Sequence, residues 1–384
     1  MRRTWNSEKY TTCREAGVVM TSVSNLKIVI AAGGTGGHIF PALSVALELK
    51  ARFAPASLLW IGTSRSRERE LCEKNGIPLE ILDVEGIKRV MSLSVVRAVV
   101  RFIKAIFGMM SLFGKNRPAA VVAFGGYVCA PVLCAASLWR VPYYLQEQNT
   151  IPGLVNRVFA RGAARIFLGL PLAGKHRLRG KTEVTGTPVR QGEKSYEGFQ
   201  YPDGLNRAEK AILICGGSQG AQSMNALLVA SVKKWAAGGM QVVWQTGAPS
   251  FAELSEVFKP QRRVFRFATI NDLYPFYAVS KLVIGRAGAS TLAEVSYFGL
   301  PCALIPLPWA AENHQWANAG LVEAQGWGIR VAQNDSCGAN VEKAVGTILS
   351  TEKTYNAMCM KALDNSPAEA AEKIALALSK DLGL

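Results

Sequence analysis

At 384 residues the chain is too long for one ordinary domain and suits two. Hydrophobic residues make up 49% and charged residues 19%, which supplies a large core and excludes a disordered chain. A formal net charge of +16 asks for an anionic partner, and charge alone leaves nucleic acid, anionic lipid and phosphorylated small molecules open.

Residues 1–25 are polar, mildly basic and without an apolar stretch. They read as a disordered N-terminal extension with no signal peptide, and Met20 is an alternative start. The first strand is the run Lys27-Ile28-Val29-Ile30-Ala31-Ala32, followed by Gly33-Gly34-Thr35-Gly36-Gly37-His38 and a helix from Pro41. Leu58-Leu59-Trp60-Ile61-Gly62 is a second strand. A third, over 119–124, ends in Gly125-Gly126-Tyr127, and a fourth, over 141–145, leads into Gln146-Glu147-Gln148-Asn149. Residues 191–210 carry Gly192, Gly198, Pro202 and Gly204 and read as linker. The alternation then restarts with Ala211-Ile212-Leu213-Ile214-Cys215 and the turn Gly216-Gly217-Ser218-Gln219-Gly220-Ala221. Repeated strand, glycine turn and helix predict two tandem α/β domains, each a doubly wound parallel sheet covered on both faces. The expected division is an extension over 1–25, a first domain over 26–190, a second over 191–364, and a C-terminal helix over 365–384 packing back on the first domain.

A strand that ends in glycines and feeds a helix presents backbone N–H groups to an anion. One such loop is weak evidence, because it also serves as a plain turn. Two at corresponding places in two domains point to a diphosphate held between them. The first loop is not a dinucleotide fingerprint: Ile39 stands where a third glycine belongs, and Gly62-Thr63 where the ribose-binding acid belongs. The second fits G-x-S-x-G, with Asp272 and His314 following in α/β-hydrolase order. A serine hydrolase would leave the first domain unexplained, so Ser218 reads better as a hydroxyl donor to phosphate. Thr291-x-x-Glu294 matches a capping box, although a carboxylate there can also take both hydroxyls of a ribose.

Residues 95–113 are strongly apolar, but Arg97, Arg101 and Lys104 interrupt them at i, i+4 and i+7. That pattern disfavours a membrane-spanning helix and suits one lying on an anionic membrane surface. The eight cysteines include no C-x-x-C pair and there are three histidines, which argues against a disulfide or zinc framework.

Taken in order, the motifs resemble glycosyltransferase family 28, the UDP-N-acetylglucosamine transferases of peptidoglycan lipid II synthesis. The matching pieces are residues 33–38 with Phe40-Pro41, Phe124-Gly125-Gly126-Tyr127-Val128, Glu147-Gln148-Asn149 and Thr185-Gly186-Thr187-Pro188-Val189-Arg190. They continue with 216–221, 287–294, Gly299-Leu300-Pro301, and Gln315 with Asn318-Ala319. The resemblance implies a GT-B fold and inverting transfer of GlcNAc from UDP-GlcNAc to the C4 hydroxyl of the muramyl sugar of lipid I. It implies no tightly bound cofactor, and no D-x-D motif for a metal-held diphosphate is present. It implies that Ile270 and Ala289, Ser290, Thr291, Leu292, Ala293 and Glu294 hold uracil and ribose, that Ser218 and its loop hold the diphosphate, and that Gln315 contacts the sugar. Thr35, Gly36, Gly37, Asn149 and Arg190 would close the donor site, while Gly125, Gly126 and Tyr127 face the acceptor. His38 is the favoured general base and Glu147 the other candidate. The implied partners are UDP-GlcNAc, undecaprenyl-linked lipid I and an anionic membrane surface, with no nucleic acid, and the implied place is the cytoplasmic face of the plasma membrane. A diacylglycerol glycosyltransferase is the related alternative. Two positions depart from the family pattern: Gln146, where a histidine is usual, and His314, where a glutamine is usual.

Overall fold

A computed structural model describes residues 27–53, 57–64, 66–84, 93–192, 196–217, 221–258 and 263–383. The N-terminal extension and Ser218 lie outside them.

The first sheet has seven parallel strands in the order β3-β2-β1-β4-β5-β6-β7. They are β1 Lys27–Ala31, β2 Ser57–Gly62, β3 Leu79–Ile81, β4 Ala120–Ala123, β5 Tyr143–Glu147, β6 Arg165–Leu168 and β7 Thr182–Val184. The second has six parallel strands ordered β10-β9-β8-β11-β12-β13: β8 Ala211–Cys215, β9 Val242–Gln245, β10 Val264–Phe267, β11 Ser280–Gly285, β12 Cys302–Leu304 and β13 Gly328–Arg330. Helices of the first unit are α1 Gly36–Arg52, α2 Ser66–Lys74, α3 Leu93–Lys115, α4 Cys129–Leu138 and α5 Leu154–Phe159. Those that follow are α6 Gln222–Ala237, α7 Ala248–Val257, α8 Tyr274–Ala278, α9 Ala289–Tyr297, α10 His314–Gln325, α11 Cys337–Ile348, α12 Glu352–Asp364 and α13 Ala370–Leu382.

The central strands β1, β4, β8 and β11 are mostly apolar and buried because both faces of each sheet are covered there. Ile28 and Ile30 pack beneath α1, while Val29 and Ala31 pack on the opposite side among Val132, Leu133 and Phe113. In the second sheet Leu213 and Ile214 divide in the same way between two cores.

The last helix returns to the first sheet. Ala371, Ile374, Ala375 and Leu378 of α13 share a core with Val45, Ala46 and Leu49 of α1, and Arg165 pairs with Asp381 at 2.6 Å. The return passes close to Gly186 at φ +89°, where a Cβ would sit 2.7 Å from Pro367, so only glycine fits. The expected linker over 191–210 is not a free tether. Phe199 and Tyr201 stack edge-on against Phe276 at 5.7 and 5.9 Å, and Gln241 Oε1 accepts the Asn206 N–H at 2.7 Å. Its turn residues shape a coil that still has apolar side chains to bury.

Candidate active site

In each sheet the strand order reverses beside its first strand, between β1 and β4 and between β8 and β11. Crevices open at the carboxyl ends of strands at such a switch point. The four loops that leave these strands are residues 33–38, Gly125-Gly126-Tyr127, 216–221 and Arg286-Ala287-Gly288. Every glycine-rich motif of the sequence therefore falls at one of two switch points.

The first loop is not an empty anion nest. The buried carboxylate of Glu68, from α2, accepts from Gly34 N at 3.1 Å, Thr63 N at 2.6 Å and Thr63 Oγ1 at 2.6 Å. The acid absent from the end of β2 thus enters from the next helix and occupies part of the loop. A dinucleotide phosphate at Gly34 would meet a fixed negative charge. The sequence alone missed Glu68 because the contact spans the turn between β2 and α2.

The other end of the loop leads into α1 and carries His38. Thr35 caps α1 from an extended backbone, and Gly36, Gly37 and His38 form its first turn. His38 Nδ1 lies 3.3 Å from both the Gly33 carbonyl and Thr35 Oγ1. Its ring lies against Gly125 and Gly126, where added Cβ atoms would come within 3.2 and 3.4 Å of it, and both glycines have positive φ, +92° and +82°. Burial pulls the imidazole below its usual pKa, partly offset by the Glu147 carboxylate and the Gly33 bond. Tyr127 stands exposed beside this pair.

Glu147, buried at the end of β5, is surrounded by donors. Asn149 N (3.0 Å) and Asn149 Nδ2 (3.3 Å) reach Oε1, while Gly153 N and Asn156 Nδ2, both at 2.8 Å, reach Oε2. These four donors fix the carboxylate and tie it to the loop that follows β5. Beside it Gln146 accepts from Gln148 Nε2 at 2.6 Å, while its own buried Nε2 has no partner among the described residues.

The two switch points face each other. Ser290 Oγ, in the first turn of α9, donates to the Gly37 carbonyl in the first turn of α1 at 3.1 Å. Two helix N-termini, each with a positive dipole end, meet at the crevice. Asn318, wholly buried on α10, fastens them. Its Oδ1 accepts from Thr150 N (3.0 Å) and Thr150 Oγ1 (2.9 Å), and its Nδ2 donates to Asn149 Oδ1 (3.1 Å) and the Ala287 carbonyl (3.0 Å). In sequence Asn318 is only one residue of a motif; its bonds to both halves emerge only in the fold.

On the second sheet, Ala289, Leu292 and Ala293 are buried, and Ser290, Thr291 and Glu294 are half-buried. The capping-box reading is overturned: the N-cap of α9 is Gly288, which places Thr291 inside the helix. Glu294 instead accepts from Tyr277 Oη at 3.1 Å. Half-buried Ile270 lies just before Asp272, which pairs with Arg190 at 2.6 Å. The Arg190 guanidinium lies 4.2 Å from the Tyr274 ring centre. Gln315 Oε1 accepts from Leu307 N at 2.9 Å, and the side chain is half-buried. Arg286, almost fully buried, donates to the Ile305 carbonyl at 2.9 Å and to Gln333 at 2.6 Å, and lies 3.5 Å from Ser223 in the first turn of α6. Its partners among the described residues are neutral, so it brings a cation close to the second glycine loop.

The hydrolase alternative does not assemble. Asp272 is taken up by Arg190 and by Tyr274 N at 3.0 Å, while His314 Nδ1 bonds the Ala311 carbonyl at 2.8 Å.

Helix α3 buries Ala98, Met109 and Phe113 and exposes Val96, Val99, Val100, Ile103 and Phe107, the last by 65%. Arg97 and Lys104 are exposed within this face; Arg101 is half-buried and reaches Asp83 at 3.5 Å. Among the described residues no helix is long and apolar enough to cross a membrane, and no group of three or more His, Cys, Asp or Glu is placed to hold a metal.

The N-terminal domain of glycosyltransferase family 28 matches residues 28–168, and its C-terminal domain residues 211–374. The UDP-N-acetylglucosamine--N-acetylmuramyl-(pentapeptide) pyrophosphoryl-undecaprenol N-acetylglucosamine transferase of Bacillus licheniformis is 31% identical, over 91% of this chain and 97% of its own length. That of Halalkalibacterium halodurans is 33% identical over 91% and 98%. The crystal structure of Acinetobacter baumannii MurG superposes with a TM-score of 0.70 at 26% identity, covering 93% of this chain and 99% of that one.

Proposed function

The chain belongs to glycosyltransferase family 28, and from that premise we propose how its two opposed helix ends carry out the transfer. It is a GT-B enzyme that moves N-acetylglucosamine from UDP-GlcNAc to the muramyl sugar of lipid I, giving lipid II for peptidoglycan synthesis. The observation that carries the route is the meeting of α1 and α9, with Ser290 Oγ 3.1 Å from the Gly37 carbonyl.

The donor lies on the second sheet. The diphosphate rests on the loop after β8, with Ser218, and at the N-terminus of α9. Glu294 takes the ribose hydroxyls, Ile270 packs on uracil and Gln315 meets the GlcNAc hydroxyls. Arg190 reaches across from the segment between the sheets, and Thr35, Gly36, Gly37 and Asn149 close the site. UDP gains negative charge as it leaves, and fixed N–H groups at a helix end stabilise that charge without rearranging. Buried Arg286 adds a positive field behind them.

The acceptor enters over Gly125, Gly126 and Tyr127. His38 is the base that takes the proton of the attacking C4 hydroxyl as the anomeric centre inverts. The Gly33 carbonyl can only accept, so Nδ1 carries the proton and Nε2 the lone pair. Burial keeps the imidazole neutral before reaction. Glu147, held by its four donors, lowers the cost of the imidazolium that forms. Glu147 is thus a positioning residue in this scheme.

The apolar face of α3, with Arg97 and Lys104, seats the enzyme peripherally on the anionic cytoplasmic face of the membrane that holds lipid I. The test of acceptor choice is transfer from labelled UDP-GlcNAc to lipid I beside a diacylglycerol control. Product from lipid I alone supports the assignment; product from diacylglycerol alone overturns it.

A further inference from the structure

The donor carboxylate is not left to find its own rotamer. Tyr277 Oη donates to Glu294 Oε2 at 3.1 Å. The phenol is 1% exposed, and its ring is locked between Phe298 and Tyr274, with centroids 5.4 and 6.2 Å away. The same hydroxyl meets the thiol of Cys215, the last residue of β8. One fixed hydroxyl therefore touches the strand that feeds the second glycine loop and the middle of α9.

We propose that Tyr277 is a positioning residue for nucleotide selection: it holds the Glu294 carboxylate edge-on to the ribose and thereby sets how strongly the site distinguishes ribonucleotide from deoxyribonucleotide. The inference rests on the reading above that Glu294 takes the ribose. The physical basis is preorganisation. A carboxylate on a flexible side chain loses rotamer entropy when it closes on a diol, and one already fixed by a buried phenol loses less. The benefit is felt only by a ligand whose hydroxyls reach the carboxylate. Tyr277 is remote from the sugar and the acceptor, so the transfer step itself should be little affected.

The test measures binding of UDP, 2′-deoxy-UDP and 3′-deoxy-UDP to the whole enzyme by calorimetry, for wild type, Tyr277→Phe and Glu294→Ala. The wild type should bind UDP roughly tenfold more tightly than either deoxy ligand, the size of a hydrogen bond to a charged group. Tyr277→Phe should weaken UDP by roughly fivefold and each deoxy ligand, which keeps only one of the two hydroxyls, by clearly less, because the tyrosine and the ribose hydroxyls are coupled. KM for UDP-GlcNAc should rise with kcat close to wild type. If Tyr277→Phe unfolds, Tyr277→Met fills most of the space without a donor and takes its place. An equal loss for all three ligands, or none, overturns the proposal. Glu294→Ala separates the two readings. If that variant keeps wild-type discrimination, the ribose assignment itself fails; if it abolishes discrimination while Tyr277→Phe preserves it, only the positioning role fails.

Discussion

Asn318 is the most economical place to perturb the cleft. Its side chain is wholly buried and makes four hydrogen bonds, three to Asn149 and Thr150 and one to the Ala287 carbonyl. A neutral hydrogen bond contributes about 0.5–1.5 kcal/mol net, so Asn318→Ala should cost about 2–6 kcal/mol. The upper part of that range is favoured because the Thr150 N–H and the Ala287 carbonyl lose a partner inside the protein. Asn318→Asp is the sharper variant. It keeps the acceptor for Thr150, but it turns a carboxylate oxygen toward Asn149 Oδ1 and the Ala287 carbonyl, so it should be at least as harmful. Scanning calorimetry should show the two domains of Asn318→Ala melting in separate, lower transitions, and kcat should fall by at least tenfold as Asn149 and the start of α9 lose register. A melting profile and kcat equal to wild type would refute the reasoning that Asn318 joins the two halves of the site.

Three further outcomes follow from the same geometry. Because His38 is held below its usual pKa of 6.5, the acid limb of kcat/KM should have its midpoint below pH 6.5. His38→Gln should remove that limb and cut kcat by about 10²–10⁴-fold with UDP affinity preserved; a limb that survives the substitution excludes His38. The neutral histidine also contributes stability that is fully present above pH 6.5 and is lost as pH falls below it through the lowered folded-state value, and a stability–pH scan of wild type against His38→Gln measures it. Glu68→Gln sets an amide N–H group against the Gly34 or Thr63 donors and should cost about 1–3 kcal/mol, read from denaturant midpoints; an unchanged midpoint would mean the carboxylate is not needed in the loop. Ile103→Asn together with Phe107→Asn should release the protein from phosphatidylglycerol vesicles in co-sedimentation while leaving transfer to a water-soluble acceptor analogue intact; retention on the vesicles would remove α3 as the docking surface.

The fold and the position of the cleft were legible because glycines mark the switch points: the motifs after β1, β4, β8 and β11 are local in sequence. What was not legible depends on contacts across the chain. Glu68 reaches the first loop from α2, beyond the next strand, so no spacing rule tied it to Gly34. Thr291 and Glu294 have the spacing of a capping box, yet the helix starts at Gly288, a boundary fixed by backbone conformation. The segment over 191–210 has the composition of a linker, but Phe199 and Tyr201 find an aromatic surface at Phe276. On residue type alone Glu147 is the second candidate for the base and His38 the favoured one. Their surroundings separate them, four donors around one and a partly open, neutral ring for the other.

In the proposed route the donor diphosphate rests at the N-terminus of α9 and the loop after β8, with His38 across the cleft on the acceptor side. A crystal structure of the enzyme with UDP-GlcNAc tests it most directly. The predicted result is the diphosphate at residues 216–221 and 288–290, the ribose on Glu294, and the anomeric carbon turned toward His38. A diphosphate seated instead on residues 33–38, with Glu68 displaced from Gly34, would contradict it.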